Sequence, residues 1–412
     1  MEAKFFAGVS LSLMALTVGC SDENLGSFPR SARFATLDSM MDAAVLADAV
    51  PGGVVYIVQD GEILHYDAFG WSDPLDSIPM NEEAIFRICS QTKALTSTAA
   101  MILWERGLLD LDKPVFNYIP AFEGMAVLET VHPDSSHSTV PAREVMTVRH
   151  LMTHQSGIPY GEIGDPRFKT LYEKHGVVDL FTTDSITAAM NCERLAATAL
   201  LHEPGAQWNY SLGLDVLVRV IEVASGEPFD IFLRREVLEP LGMKDTYFHL
   251  PDSLAGRLVQ VWEPDVDQRW KPHMHSRYST DYPVAGAQTY LSGGAGLCST
   301  PADYARFLQM YLNRGVLDGR RILQESTVDS VMTNQELNPR DANWYQGLAF
   351  GVEKPNSNGP LPPGAFFWGG YFNTTYAADP ESQTIGILMK QTYGANDPTS
   401  AQFLSEVFGQ LR

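Results

Sequence analysis

Apolar residues recur at helical spacing between positions 34 and 50, with Leu37, Met40, Met41, Ala44 and Val45 on one face, and Pro51-Gly52-Gly53 closes the run. Residues 54–58 then read as a strand, Asp60-Gly61 as a tight hairpin turn, and 63–69 as the returning strand. Behind Ser90 a long apolar run reaches Leu103, as a buried helix would. From 108 to about 285 the pattern changes to helices and long loops. Residues 150–157 read as a helix stopped by Gly157, 215–224 as an apolar helix ended by Ser225-Gly226, and 229–238 as another. Ser299-Thr300-Pro301-Ala302-Asp303 offers a cap, a proline in the first turn and an early acid, so a helix should start there and run to 312. Residues 365–368, 374–378 and 384–390 read as three strands, and 401–408 as a closing helix. The layout predicts an α+β fold. The two ends, about 34–98 and 286–412, should build one antiparallel sheet flanked by helices, with 99–285 as an inserted, mainly helical domain.

Composition narrows the partners. The 412 residues are 45% hydrophobic and carry a net charge of −21. A surface this acidic would repel phosphates, so nucleic acid is excluded as a partner. The N-terminus reads as an export signal over residues 1–20: Lys4, an apolar run over 5–18, then small residues. Its ending, Leu16-Thr17-Val18-Gly19-Cys20, resembles a bacterial lipoprotein box, with Thr17 the departure from it. That resemblance implies lipidation of Cys20, attachment to a membrane and a periplasmic or outward-facing protein. Residues 21–33 are polar and rich in Gly, Pro and Ser, as a tether would be. Cys89, Cys192 and Cys298 remain, an odd number that does not make a disulfide framework, and Cys89 is expected in the core.

The candidate chemistry centres on Ser90-Gln91-Thr92-Lys93. On a helix, Lys93 shares a face with Ser90, and the helix N-terminus adds partial positive charge at the hydroxyl. A serine becomes a useful nucleophile when a neighbouring group takes its proton. Two further stretches belong with it. Tyr210 lies in a loop held by Pro204-Gly205 just before an apolar helix. Phe367-Trp368-Gly369-Gly370-Tyr371 is strand-like and ends in glycines that allow close approach. No Gly-x-Ser-x-Gly elbow follows a strand, which argues against an α/β-hydrolase. His150 and His154 sit four apart but lack the intervening Glu of a zinc hydrolase, so they are expected to pack and cap. His273 and His275 are expected on the surface or at a pocket rim.

Together these motifs resemble the serine β-lactamase and penicillin-binding-protein family, and most of all its branch of class C β-lactamases and family VIII carboxylesterases. Ser90 to Lys93 match the first motif, Tyr210-Ser211-Leu212 the second and Trp368-Gly369-Gly370 the third, with the likeness running over nearly everything after residue 34. It implies a β-lactamase/transpeptidase-like fold and two-step acyl transfer on a small ester, with no metal or cofactor. Ser90 would be the nucleophile. Lys93 and Tyr210 would move the proton, as a neutral lysine base or as a phenolate beside a charged lysine. The oxyanion would sit between the backbone N–H groups of Ser90 and Tyr371. Two departures carry information. Leu212 stands where the second motif usually has Asn, and Trp368 where the third usually has Lys. Losing an amide and a cation shifts the expected substrate from carboxylate-bearing β-lactams toward neutral esters of short acyl chains, with Trp368, Gly369, Gly370 and Leu212 as substrate-binding positions. The rival readings are a β-lactamase, a D-amino-acid peptidase or amidase, or an acyltransferase at the same site, and a non-catalytic binder of cell-wall peptide. The natural ester, acyl length and oligomeric state depend on loops such as 161–179 and 262–283.

Overall fold

The computed structural model describes residues 28–131, 136–336 and 341–409. The export signal, Cys20 and the first residues of the expected tether lie outside the described residues. Residues 28–31 run along the sheet: Phe28 packs on Tyr66 with ring centroids 4.4 Å apart, and Arg30 pairs with Asp67.

Strands β1 (Gly52–Gln59) and β2 (Glu62–Asp73) form the expected hairpin. Asp60 and Gly61 at its turn have φ of 53° and 81°, the left-handed pair that matches the strands' twist. The remaining strands of the main sheet are β3 (Ile78–Pro79), β4 (Trp344–Gln346), β5 (Gly351–Glu353), β6 (Phe366–Gly370), β7 (Thr374–Asp379) and β8 (Thr384–Met389). The sheet has eight strands, each antiparallel to its neighbours, in the order β4-β5-β6-β7-β8-β1-β2-β3. The chain's two ends therefore meet at its centre, where Val54 pairs with Met389.

Strand alternation decides which helix covers which face. Val55 and Ile57 point to a core shared with helix α1 (Ala35–Leu46) and the C-terminal helix over Thr399–Gly409. Val54, Tyr56 and Val58 point the other way, into the large core that holds α2 (Thr92–Glu105). Helix α2 is buried from Thr92 to Leu103, between the sheet and the helical residues of the middle of the chain. Its polar side chains survive burial because they are bonded: Thr96 Oγ1 donates to Gly293 O at 2.8 Å, and Thr98 Oγ1 meets Tyr311 OH at 2.7 Å. Helix α3 (Val148–Met152) is shorter than its sequence suggests. It ends five residues before Gly157 because His154 turns to φ 58°. Helix α4 (Gly213–Ser225) ends on Gly226 at φ 76°, and α5 (Pro301–Leu312) starts where Thr300 Oγ1 accepts from Asp303 N. No helix among the described residues is long and apolar enough to cross a membrane.

Candidate active site

Ser90 lies in a single 3₁₀ turn, Cys89–Gln91, that leads into α2. The turn is strained: Cys89 sits at φ 45°, where a side chain is disfavoured. What holds it is packing. The Cys89 side chain is fully buried, and its sulfur is met by the backbone N–H of Phe372. Burial pushes the Cys89 thiol up to about 12, so it stays protonated and inert, as do the other two buried free thiols, Cys192 and Cys298. The same turn leaves Ser90 half-buried at the helix N-terminus.

Lys93 is one turn on and buried. Its Nζ lies 3.2 Å from Ser90 Oγ and 3.0 Å from Tyr160 OH, and donates to Gly294 O at 2.7 Å. Tyr210 meets it through its ring, whose centre lies 4.7 Å from Nζ. Tyr160 was not singled out by the sequence, yet its hydroxyl is the one on Lys93. Burial holds the Tyr160 phenol well above the usual tyrosine range, with Tyr210 adding to the effect. The available signal was weak: a tyrosine just after Ser156-Gly157-Ile158-Pro159 in a loop too rich in turn residues to be a helix.

The two tyrosines are brought together by lacing their loops. Asn209 N donates to His154 O at 2.8 Å, Leu212 N to Ile158 O at 3.2 Å, and Pro159 bridges to Ser211. Ser211 Oγ meets His154 Nδ1 at 2.9 Å. The Tyr160 and Tyr210 ring centres end 5.3 Å apart. His154 and His150 thus pack and cap as expected: Thr147 N donates to His150 Nδ1 in a capping box. Leu212 corrects the sequence reading. It is fully buried in the core, because the apolar side chain turns inward at the head of α4, so it is not a wall of the cleft. His273 and His275 stand at a pocket rim, as expected: both help line a cavity of about 310 Å³, His275 half-buried and His273 buried between Glu263 Oε2 and Tyr278 OH, at 2.5 and 2.9 Å.

Beside Tyr210, Trp368 on β6 extends the aromatic cluster. Its ring stacks on His154 at 6.4 Å, lies 6.1 Å from Tyr210 and meets Trp344 edge-on at 5.7 Å. Gly369 is exposed. Gly370 has a steric reason to be glycine: a Cβ there would lie 2.2 Å from Thr374 Oγ1 and 2.7 Å from Ile88 O. Its absence lets the end of β6, and Tyr371 after it, close on the Ser90 turn.

A carboxyl lies beneath this assembly. Asp215, in the first turn of α4, is buried, and burial raises its pKa to about 6 even though Ser292 and Lys93 pull it down. Tyr290 OH donates to it at 3.3 Å. A Cβ on Gly294 would come within 2.5 Å of Asp215 Oδ2 and 2.8 Å of Tyr160 OH, so both reach toward the backbone that anchors Lys93. Its trace in the sequence is a lone acid among Leu214, Val216, Leu217 and Val218.

A serine at a helix head with a buried lysine on it, beneath an antiparallel sheet, defines a serine hydrolase of the β-lactamase/transpeptidase type. The chain belongs to the beta-lactamase family, whose model matches residues 37–406. It is 30% identical to Esterase EstB of Burkholderia gladioli over 392 residues, covering 92% of this chain and 95% of that one. It is 28% identical to the monacolin J acid methylbutanoyltransferase of Aspergillus terreus over 396 residues, covering 88% of this chain and 91% of the relative. The solved structure of EstCE1, a hydrolase with promiscuous acyltransferase activity, superposes with a TM-score of 0.78 at 25% identity, covering 92% of this chain and 99% of that one.

Proposed function

We propose that this protein is a carboxylesterase that hydrolyses neutral esters of short acyl chains through an acyl-enzyme on Ser90. The observation that carries the reading is Lys93 Nζ 3.2 Å from Ser90 Oγ with the indole of Trp368 beside the Tyr210 ring, at 6.1 Å. Ser90 Oγ attacks the ester carbonyl as its proton passes to the Lys93–tyrosine unit. The carbonyl oxygen becomes negative and is taken by the N–H groups of Ser90 and Tyr371. Tyr160, kept as a neutral phenol by burial, fixes the lysine. The half-buried Tyr210 passes the proton to the leaving alcohol, and water then releases the acid. A second reading, transfer of the acyl group to an alcohol instead of water, is favoured by the methylbutanoyltransferase among the relatives and uses the same steps.

Trp368 decides between esters and β-lactams. A cation there would attract a substrate carboxylate, and more strongly in a partly desolvated cleft than in water. An indole offers an apolar face and one N–H. The wild-type ratio of kcat/KM for p-nitrophenyl butyrate to that for nitrocefin is therefore expected above one, and Trp368→Lys should lower it about tenfold or more. A wild-type ratio below one would put the substrate class elsewhere, and an unchanged ratio would show that Trp368 does not face the substrate. Repeating the assay with an added alcohol, and measuring new ester, separates transferase from esterase.

We also propose export with lipidation at Cys20, on the strength of the N-terminal segment. Sequencing the mature N-terminus should find residue 20 first and blocked, and a free or different terminus refutes it.

A further inference from the structure

We propose that Lys390, Gln391 and Asp397 are positioning residues that set the spacing of the two oxyanion N–H groups. The inference rests on the assignment of those groups to Ser90 and Tyr371. The two come from distant parts of the chain, one from the turn before α2 and one from the end of β6, and no strand pairing joins them directly. The segment that follows β8 touches both.

On the Ser90 side, the Gln391 side chain clasps the backbone of Arg87. Arg87 N donates to Gln391 Oε1 and Gln391 Nε2 donates to Arg87 O, each at 3.1 Å. On the Tyr371 side, Thr392 N donates to Phe372 O at 3.1 Å. The tight turn from β6 to β7 passes through Asn373, which stands at φ 70° with its N–H on Gly370 O at 2.9 Å. The Asn373 side chain donates to Thr392 Oγ1 at 2.9 Å and to Asp397 Oδ2 at 2.7 Å.

Asp397 is held in turn by Lys390. The two side chains are 1% and 0% exposed, and the lysine also donates to Thr399 Oγ1 at 2.6 Å and Ser400 Oγ at 3.0 Å. A lysine at the end of a central strand is far from water, and burying an ion pair is a poor way to gain stability by itself. What it does here is fix Asp397, which fixes Asn373, which fixes the turn that presents Tyr371. Lys390 and Gln391 are adjacent just past the end of β8, so one short segment references both halves of the oxyanion site. An N–H displaced by a fraction of an ångström loses much of its worth to a developing oxyanion.

The test is Asn373→Gly, Gln391→Leu and the double variant Lys390→Met/Asp397→Leu, assayed on an ester and on its thiono analogue. Glycine keeps the positive φ at 373 and removes only the side-chain links, so that variant should fold. Oxyanion donors that fit oxygen favour the oxo ester, and the wild type should do so strongly. Each variant is expected to lose about tenfold or more in kcat with KM within about twofold, and to lose most of the oxo-over-thiono preference. Ile57→Val, on the other face of the sheet, should keep the preference whatever it does to stability. Unchanged kcat and preference in Asn373→Gly and Gln391→Leu would overturn the proposal. A wild type with ester activity but no oxo preference would overturn it through the oxyanion assignment instead.

Discussion

Ser90→Ala is expected to remove ester hydrolysis, with kcat down by a factor on the order of 10⁴ or more, while the protein stays folded. The loss is large because no other nucleophile can take over: Cys89 next door is buried as a protonated thiol. The fold should tolerate the change. Ser90 is half-buried, and Lys93 keeps its bonds to Tyr160 OH and Gly294 O when Ser90 Oγ goes. The stability cost should be about 1 kcal/mol, the worth of one hydrogen bond. A serine-directed phosphonate should label residue 90 and nothing else, read by peptide mass. An active variant, or an adduct on another residue, would remove Ser90 from the mechanism.

The second large effect concerns the lysine and its two tyrosines. Lys93→Met should lower kcat by about 10²–10⁴, the usual worth of a positioned base, and methionine keeps most of the buried volume. Tyr160→Phe should cost a comparable factor, since it removes the hydroxyl 3.0 Å from Lys93 Nζ and with it a buried hydrogen bond. Tyr210→Phe keeps the ring 4.7 Å from Nζ, so any loss there reports the hydroxyl alone. Because these groups act on one proton, Lys93→Met/Tyr160→Phe should be little worse than Lys93→Met alone. Multiplying losses would show that Tyr160 serves a separate step, and a fully active Tyr160→Phe would reduce it to packing.

What could be read from the sequence follows from the range of the interactions involved. The β1–β2 hairpin, α2, α4, α5 and the last three strands announce themselves through local periodicity, caps and turn residues, and all are present. Strands β3, β4 and β5 have two or three residues each, too few for an alternation to register. Ser90 and Lys93 share one helical turn and were legible. Tyr160 reaches Lys93 across 67 positions of chain, with no spacing rule to mark it. The partners of His273 at its pocket rim were not legible, because they depend on a small hairpin that pairs Trp262 with Pro272 and sets Glu263 beside the imidazole. Leu212 failed for a related reason: a motif position says which residue stands there, not which way it turns.

The pairing of β1 with β8 has a consequence for how the molecule is made. Each strand has its other neighbour nearby in sequence, but the seam between them joins Val54 to Met389 and Gln59 to Thr384. A ribosome must release the chain through Met389 before that seam can close. Until then β1 offers an open, apolar edge in which every residue from Gly52 to Val58 is destined for burial. Closing a loop of this length costs entropy before any contact rewards it, so folding should be slow and late, with the sheet's centre the last part to assemble. In the cell the chain would depend on holding factors that shield β1, and truncations near the C-terminus should yield aggregates in place of a smaller folded core.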